Sequence, residues 1–253
     1  MGTNPNPPIQ GLSQQPGQVL GDGDCAPAYS LAEMLVFLTQ HAYTNAAIYD
    51  LIYEKVDQSR FAQLIARAEL VKNAIRPKTS KQKPGAWRTR QSVLRGKLFE
   101  QIVGLFLRAS KPFQAYNRII SPTNELDWLV VFGPLQNTVP AFREWGPHFV
   151  CECKFSQQNV KSEWVGKLAT LLQTHGAKVA LLVAHKVLKG SNGQARQAQQ
   201  LTYDLCLLGR FILSVSFDDL SDCVASNQNF LHMLNIRYSE LTARASKLRL
   251  LLN

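Results

Sequence analysis

Apolar residues recur every three or four positions in the first part of the chain, a period typical of amphipathic helices. Three such segments predict helices over 30–43, 44–57 and 59–76. Ser30, followed by a glutamate three residues later, supports the first of them because this pair forms a capping box. We therefore expect a small helical bundle at this end of the chain.

The period changes after residue 90, and the new pattern predicts an α/β region. It favours, in chain order, a helix, three strands, a helix, a strand, a helix and a strand. The predicted bounds are 91–110, 113–120, 125–132, 148–155, 160–175, 178–185, 193–208 and 211–216. This order predicts a mixed central sheet flanked by helices.

A stripe of apolar residues with spacings of three and four predicts a helix at the C-terminal end. The stripe consists of Leu231, Leu234, Tyr238, Leu241, Ala245, Leu248 and Leu252. Such a pattern has two interpretations: the helix packs on its own domain, or it joins two copies of the chain in a homodimer.

These patterns divide the chain into four regions. Residues 1–25 are rich in proline, glycine, glutamine and asparagine and predict a flexible tail. We expect a helical region with a basic linker over 26–90, an α/β core over 91–217 and a C-terminal helical segment over 218–253.

Charge adds information about the partner. The 28 Lys and Arg against 18 Asp and Glu give a net charge of +10, which favours nucleic acid or another anionic surface. A membrane is not expected, since no apolar run has transmembrane length and the start lacks the features of a signal peptide. Five scattered cysteines favour reduced thiols in the cytoplasm over a disulfide framework.

The basic residues are concentrated between Leu70 and Glu100, where the chain has no acidic residue. Lysines and arginines contact phosphates, and a tryptophan among them can stack on a base. The predicted nucleic-acid contacts are Lys78, Lys81, Lys83, Trp87, Arg88, Arg90, Arg95 and Lys97. The alternative is a solvated linker whose charges only aid solubility.

Charged residues also interrupt three apolar segments. In the predicted strand "HFVCECKF", Glu152 and Lys154 share one face, Asp127 precedes the apolar run of another strand, and Glu100 lies among apolar residues of a helix. A pair such as Glu152 and Lys154 is in many proteins only a structural ion pair. Together, however, carboxylates can bind Mg²⁺, and a lysine beside them can orient or deprotonate a water that attacks a phosphodiester.

Asp127, the sequence Glu152-Cys153-Lys154 and a preceding helix with "GKLFE" resemble the PD-(D/E)xK nuclease superfamily, and most of all its Mrr-like branch. The resemblance covers residues 91–217 and implies a restriction-endonuclease-like fold. It also implies that Asp127, Glu152 and the main-chain carbonyl of Cys153 hold Mg²⁺, with Mn²⁺ as a substitute. Lys154 would serve the water, and Glu100 would be a further catalytic and metal-binding acid.

Three details of this resemblance need separate mention. Leu126 stands where the family commonly has proline, and Glu125 lies on the same strand face as Asp127, so either carboxylate could be the ligand. The 24 residues between Asp127 and Glu152 exceed what the minimal fold needs. Some relatives have a polar helper on the helix after the lysine, where this chain has Gln173.

The resemblance implies a magnesium-dependent endonuclease acting on DNA, with a role in prokaryotic restriction, defence or DNA processing by analogy. The helical region and the C-terminal helix would serve target choice, assembly or a protein partner. Two alternatives stay open: a nucleic-acid-binding module without catalysis, and a nuclease that cleaves RNA.

Overall fold

The structure, a computed structural model, describes residues 45–75, 83–120, 125–156, 159–186, 188 and 193–252. The predicted tail over 1–25 and the predicted helix over 30–43 lie outside these residues. The helices are α1 (Asn45–Leu51), α2 (Gln58–Asn73), α3 (Pro84–Ala109), α4 (Pro140–Trp145), α5 (Ser162–Thr174), α6 (Gly193–Leu207), α7 (Phe217–Ala225) and α8 (Phe230–Leu252). The strands are β1 (Phe113–Ile120), β2 (Glu125–Phe132), β3 (His148–Lys154), β4 (Val179–Ala184) and β5 (Phe211–Ser216).

The five strands form one mixed sheet in the order β1-β2-β3-β4-β5. The pairs β1–β2 and β2–β3 are antiparallel, whereas β3–β4 and β4–β5 are parallel. Parallel neighbours need a crossover, and α5 and α6 provide the two that this sheet requires. The predicted α/β class with a mixed sheet flanked by helices is confirmed.

Apolar cores lie on both faces of the sheet. The larger core includes Phe106 of α3, Phe149 of β3 and Leu234 of α8, and the smaller core includes Val150 of β3 and Leu168 of α5. Both faces of β3 therefore contribute to the core, including the face that carries Glu152. Helices cover both faces of a parallel sheet, so a strand in it has no solvated side.

The helical region differs from the prediction at two places. Helix α3 begins at Pro84, so the end of the predicted linker is helical; proline suits the first turn of a helix, where its missing N–H costs nothing. Helix α1 ends at Leu51 rather than near residue 57. The chain after it is irregular up to Asp57, whose side chain accepts a hydrogen bond from the Arg60 amide and so caps α2.

The long connection between β2 and β3 is not an open loop. It contains a 3₁₀-helix over Pro134–Thr138 followed by α4, and each begins with a proline. Phe142 and Trp145 of α4 are fully buried against the larger core. In the described residues this connection is therefore a packed element of the fold.

The C-terminal stripe packs on the protein's own core. Its first five residues are buried there, and the hydroxyl of Tyr238 donates a hydrogen bond to Glu144 of α4 at 2.8 Å. The side chains of Leu248 and Leu252 lie outside the described set. The packing therefore follows the first interpretation of the stripe, and these five residues are not free to join a second copy. None of the described helices combines the length and apolar character needed to cross a membrane.

Candidate active site

Strands β2 and β3 bring two of the predicted carboxylates together. Trp128 pairs with Cys151 in the antiparallel ladder, so Asp127 and Glu152, the next residue on each strand, lie across from each other. Residues in such positions have Cβ atoms about 5 Å apart. A side-chain oxygen of Asp127 (Oδ2) also accepts a hydrogen bond from the amide of Cys153 at 2.6 Å, which fixes the carboxylate beside β3.

Glu152 is held by two lysines. Its side chain is 1% exposed, and its Oε1 accepts hydrogen bonds from the ammonium groups of Lys154 at 2.5 Å and Lys167 at 2.6 Å. The other oxygen, Oε2, is buried and has no hydrogen-bond partner among the described residues. A buried carboxylate is tolerated when opposite charges compensate it, and here two ammonium groups do so.

The pKa values show how the charges interact. Burial and the negative charge of Glu152 raise the pKa of Asp127 to about 6, although the hydrogen bond from the Cys153 amide lowers it. Burial alone would lower the pKa of Lys154, but the adjacent Glu152 outweighs burial, and the pKa is raised. Lys154 is therefore an ammonium at neutral pH. Of the two predicted roles of Lys154, orienting the water fits this state better than deprotonating it.

Glu100 is close enough to Asp127 for its charge to raise the pKa of that carboxyl, but the two do not form a metal-binding group with Glu152. It is half-buried on α3 and lines a cavity with Asn117 and Arg118 of β1. Burial raises its pKa, while the charge of Arg118 and a hydrogen bond from Asn117 lower it. Within the described residues, no three side chains of Asp, Glu, His or Cys form a group that could hold a metal ion. A ligand set that contains all three predicted carboxylates is thus not assembled.

The choice between Asp127 and Glu125 is clearer in the structure. Glu125 is exposed, and its carboxylate accepts hydrogen bonds from the guanidinium of Arg118, the shorter at 2.8 Å. Asp127 is the one that contacts β3.

Asp127 and Glu152 fit a magnesium ion. Mg²⁺ in such sites is bound through one or two carboxylates together with waters and substrate phosphates, and these two carboxylates would supply the protein's share of the ligands. The unpartnered Oε2 of Glu152 and the repulsion that raises the pKa of Asp127 would both be relieved by a divalent cation. The predicted ligand role of the Cys153 carbonyl stays a prediction.

Lys167 is the residue that sequence reasoning missed. It lies on α5 between the buried Val165 and Leu168 and reaches Glu152 across the helix–sheet interface. The predicted helper on the same helix, Gln173, is exposed near its C-terminal end. In the sequence, only the apolar residues that flank Lys167 indicate that this lysine lies near the sheet.

The predicted nucleic-acid contacts that can be described lie on or next to the first half of α3. Lys83, Arg88, Arg90 and Lys97 are exposed and Trp87 is partly exposed, whereas Lys78 and Lys81 lie outside the described residues. Arg95 differs from the others: it is partly buried, and its guanidinium lies over the ring of Phe155 at 6.0 Å from the ring centroid.

Comparisons of the chain with models of known protein families, with curated proteins and with solved structures found no match.

Proposed function

We propose that the chain is a metal-dependent nuclease that hydrolyses phosphodiester bonds of DNA. One observation carries the proposal: Asp127 and Glu152 face each other on neighbouring strands, and the ammonium of Lys154 lies 2.5 Å from Glu152. Such a cluster of two acids and a lysine suits phosphoryl chemistry, because it combines metal ligands with a positive charge for the transition state. The resemblance to PD-(D/E)xK nucleases points to the same reaction.

Each residue has a distinct task in this proposal. Asp127 and Glu152 would hold Mg²⁺, which when bound supplies an activated water and Lewis-acid stabilisation of the phosphate. Lys154 orients the attacking water and offsets the negative charge that develops on the phosphate oxygens. Lys167 holds the carboxylate of Glu152 from the side of α5, so that Glu152 keeps its orientation when Lys154 turns towards the substrate.

The basic first half of α3 would bind the DNA backbone. It supplies exposed Arg88, Arg90 and Lys97, and Lys83 precedes it directly. The same helix leads to Glu100, which would act beside the metal ligands rather than as one of them. A cytoplasmic role in restriction, defence or DNA processing agrees with the proposed nuclease activity.

A second candidate is a nucleic-acid-binding module without catalysis. It is favoured by the two ammonium groups that bind one oxygen of Glu152, because in some proteins such a cluster has a purely structural role. The basic surface would then bind DNA or RNA without turnover.

Plasmid DNA and labelled RNA, each incubated with Mg²⁺, Mn²⁺ or EDTA, separate these functions. We expect EDTA-sensitive nicking of DNA that Lys154→Ala abolishes and Lys72→Ala retains, since Lys72 is an exposed lysine of α2 paired with Glu69. Binding without cleavage by the unaltered protein would support the binding module, and cleavage of RNA alone would change the substrate. Nicking that survives in both Lys154→Ala and Asp127→Asn would refute the proposed site.

A further inference from the structure

A cavity of about 290 Å³ lies between α3 and the β1–β2 pair, next to the candidate active site. Its lining includes three cationic side chains, Lys97, Arg108 and Arg118, and one acid, Glu100. Arg108 and Arg118 were not among the predicted nucleic-acid contacts. The cavity is therefore a positively charged space that the sequence analysis did not identify.

Two of these residues form no ion pair in the described part of the chain, although the charge of Lys97 acts on nearby Glu100 and lowers its pKa. Within the described residues, neither Lys97 nor Arg108 forms an ion pair, whereas Arg118 is bound to Glu125 at the surface. The cations of the lining outnumber its one carboxylate, Glu100, and such an excess of positive charge in a concave site attracts an anion.

Trp128 forms another wall of the cavity and contributes a second feature that points to a ligand. The residue is 2% exposed, and its indole N–H is buried without an acceptor in the part of the chain that the structure describes. A buried donor without a partner is costly, and an oxygen atom of a bound group would satisfy it.

The guanidinium of Arg108 lies 5.5 Å from the centroid of the Trp128 ring, a cation–π contact that restrains it at the cavity. Because Arg108 is already positioned, less side-chain freedom is lost when its N–H groups bind a ligand. A planar guanidinium also matches the oxygens of a phosphate group.

The cavity adjoins the site at Asp127. The side chain of Asn117, which lines the cavity, donates a hydrogen bond to the main-chain oxygen of Asp127 at 3.0 Å. Arg118, with a positive φ of 54°, interrupts the β1–β2 ladder opposite Asp127 and is close enough to interact with that carboxylate.

Arg90, Lys97 and Arg108 also lie along one side of α3, because their spacings of 7 and 11 are close to whole numbers of helical turns. This row spans roughly 27 Å, which is long enough for several consecutive phosphates of one strand. It joins the predicted basic surface at the beginning of α3 to the cavity.

We infer that the cavity binds a backbone phosphate of the nucleic-acid strand, next to the phosphate that is cleaved. Arg108 contacts its oxygens, and the indole N–H of Trp128 donates to the same group or to the adjacent sugar. Lys97, about 16 Å from Arg108 along α3, contacts a neighbouring phosphate of the same strand. The position next to the cleaved phosphate rests on the proposed function, whereas the binding of a phosphate does not.

The test uses a fluorescein-labelled DNA duplex, with binding measured by anisotropy at several salt concentrations in Mg²⁺. The Lys154→Ala variant serves as the background because it is not expected to cleave. We expect Arg108→Gln and Lys97→Gln each to weaken binding roughly tenfold at moderate salt. Each should also lower the slope of log affinity against log salt by about 0.9, as the loss of one phosphate contact requires.

Arg67→Gln is the matched control, since Arg67 is exposed on α2 and is not in the cavity. Circular dichroism checks that Arg108→Gln remains folded, and Lys97→Gln provides a second variant at an exposed position without a packing role. Affinities and salt slopes equal to those of the control in both variants would overturn the inference.

The experiment separates this inference from the proposed nuclease activity. If the unaltered protein does not cleave but the two variants lose affinity and salt slope, the phosphate subsite stands and the nuclease proposal fails. If the protein cleaves and the two variants bind as the control does, the nuclease proposal stands and the subsite fails. A protein that binds no DNA or RNA refutes both.

Discussion

Replacing Asp127 with asparagine should stabilise the metal-free protein at neutral pH. Asparagine keeps an oxygen that can accept the hydrogen bond from the Cys153 amide, but it removes the negative charge opposite Glu152. The pKa of Asp127 is about 6 in the fold against 3.8 as the ordinary value, so the unfolded chain loses this proton first. The Asp127 carboxyl therefore lowers the free energy of unfolding progressively as the pH rises from about 4 to 6. Above pH 6 the whole of this destabilisation is present.

The expected gain follows from the pKa difference. A shift from 3.8 to about 6 corresponds to about 3 kcal/mol at pH 7, and partial exposure of the side chain reduces this to about 1–3 kcal/mol. Near pH 3.5 the unaltered protein and the Asp127→Asn variant both carry a neutral group at this position. The gain in the free energy of unfolding should therefore vanish at this pH. Urea denaturation in EDTA at pH 3.5, 5 and 7 measures the difference.

Asp204→Asn is the control, because Asp204 is an exposed carboxylate of α6 that accepts a hydrogen bond from Gln200. Its effect should stay small at every pH. Added Mg²⁺ should stabilise the unaltered protein, by about 2.7 kcal/mol at one hundred times its Kd, and should leave Asp127→Asn unchanged. A variant that is less stable at pH 7, or equally stabilised at pH 3.5, would refute the electrostatic argument.

Three further predictions concern stability. Lys167→Met should cost about 1–3 kcal/mol in urea denaturation at pH 7, because Glu152 loses one of its two ammonium partners; an unchanged midpoint would show that the contact is dispensable. Gly104→Ala should lower the melting temperature, since its Cβ would lie 2.6 Å from an indole carbon, whereas Gly166→Ala, with open space around it, should not. Leu234→Ala should cost about 2–5 kcal/mol, and the loss should not depend on protein concentration, because this residue of the C-terminal stripe is buried in its own chain; a concentration-dependent loss in calorimetry would point to the dimer instead.

The sheet was largely predictable because its strands have a clear local signal. Strands β1, β2 and β5 have the predicted bounds, since alternating or apolar runs end there at turn residues. Helix α4 was not predicted, and α7 was covered only by the general prediction of a helical segment over 218–253, because six and nine residues are too few to show a period. The basic linker was predicted to continue up to residue 90, whereas a helix begins at Pro84, because proline occurs both in linkers and in the first turn of a helix.

The candidate site was predictable where one strand carries the information. Asp127, Glu152 and Lys154 were identified as charges in apolar runs, and register alone brings the two carboxylates together. The contact of Lys167 with Glu152, and the failure of Glu100 to complete a metal-binding group among the described residues, depend on how helices pack on the sheet, which no local pattern encodes. Tertiary packing thus decides which charged residues meet, whereas the sequence indicates only which ones are unusual.

Strand β3 is the middle strand of the sheet, with β2 on one side and β4 on the other. During synthesis on the ribosome, β2 and β3 emerge before their carboxylates and lysines can be buried. Helix α5 and the partner strand β4 are synthesised after β3, and β4 is complete only when residue 184 has been added. A nascent chain therefore cannot bury Glu152 with its two lysines until most of the sheet has been made. In the folded protein, the backbone amides of β3 should be among the last to exchange with deuterium.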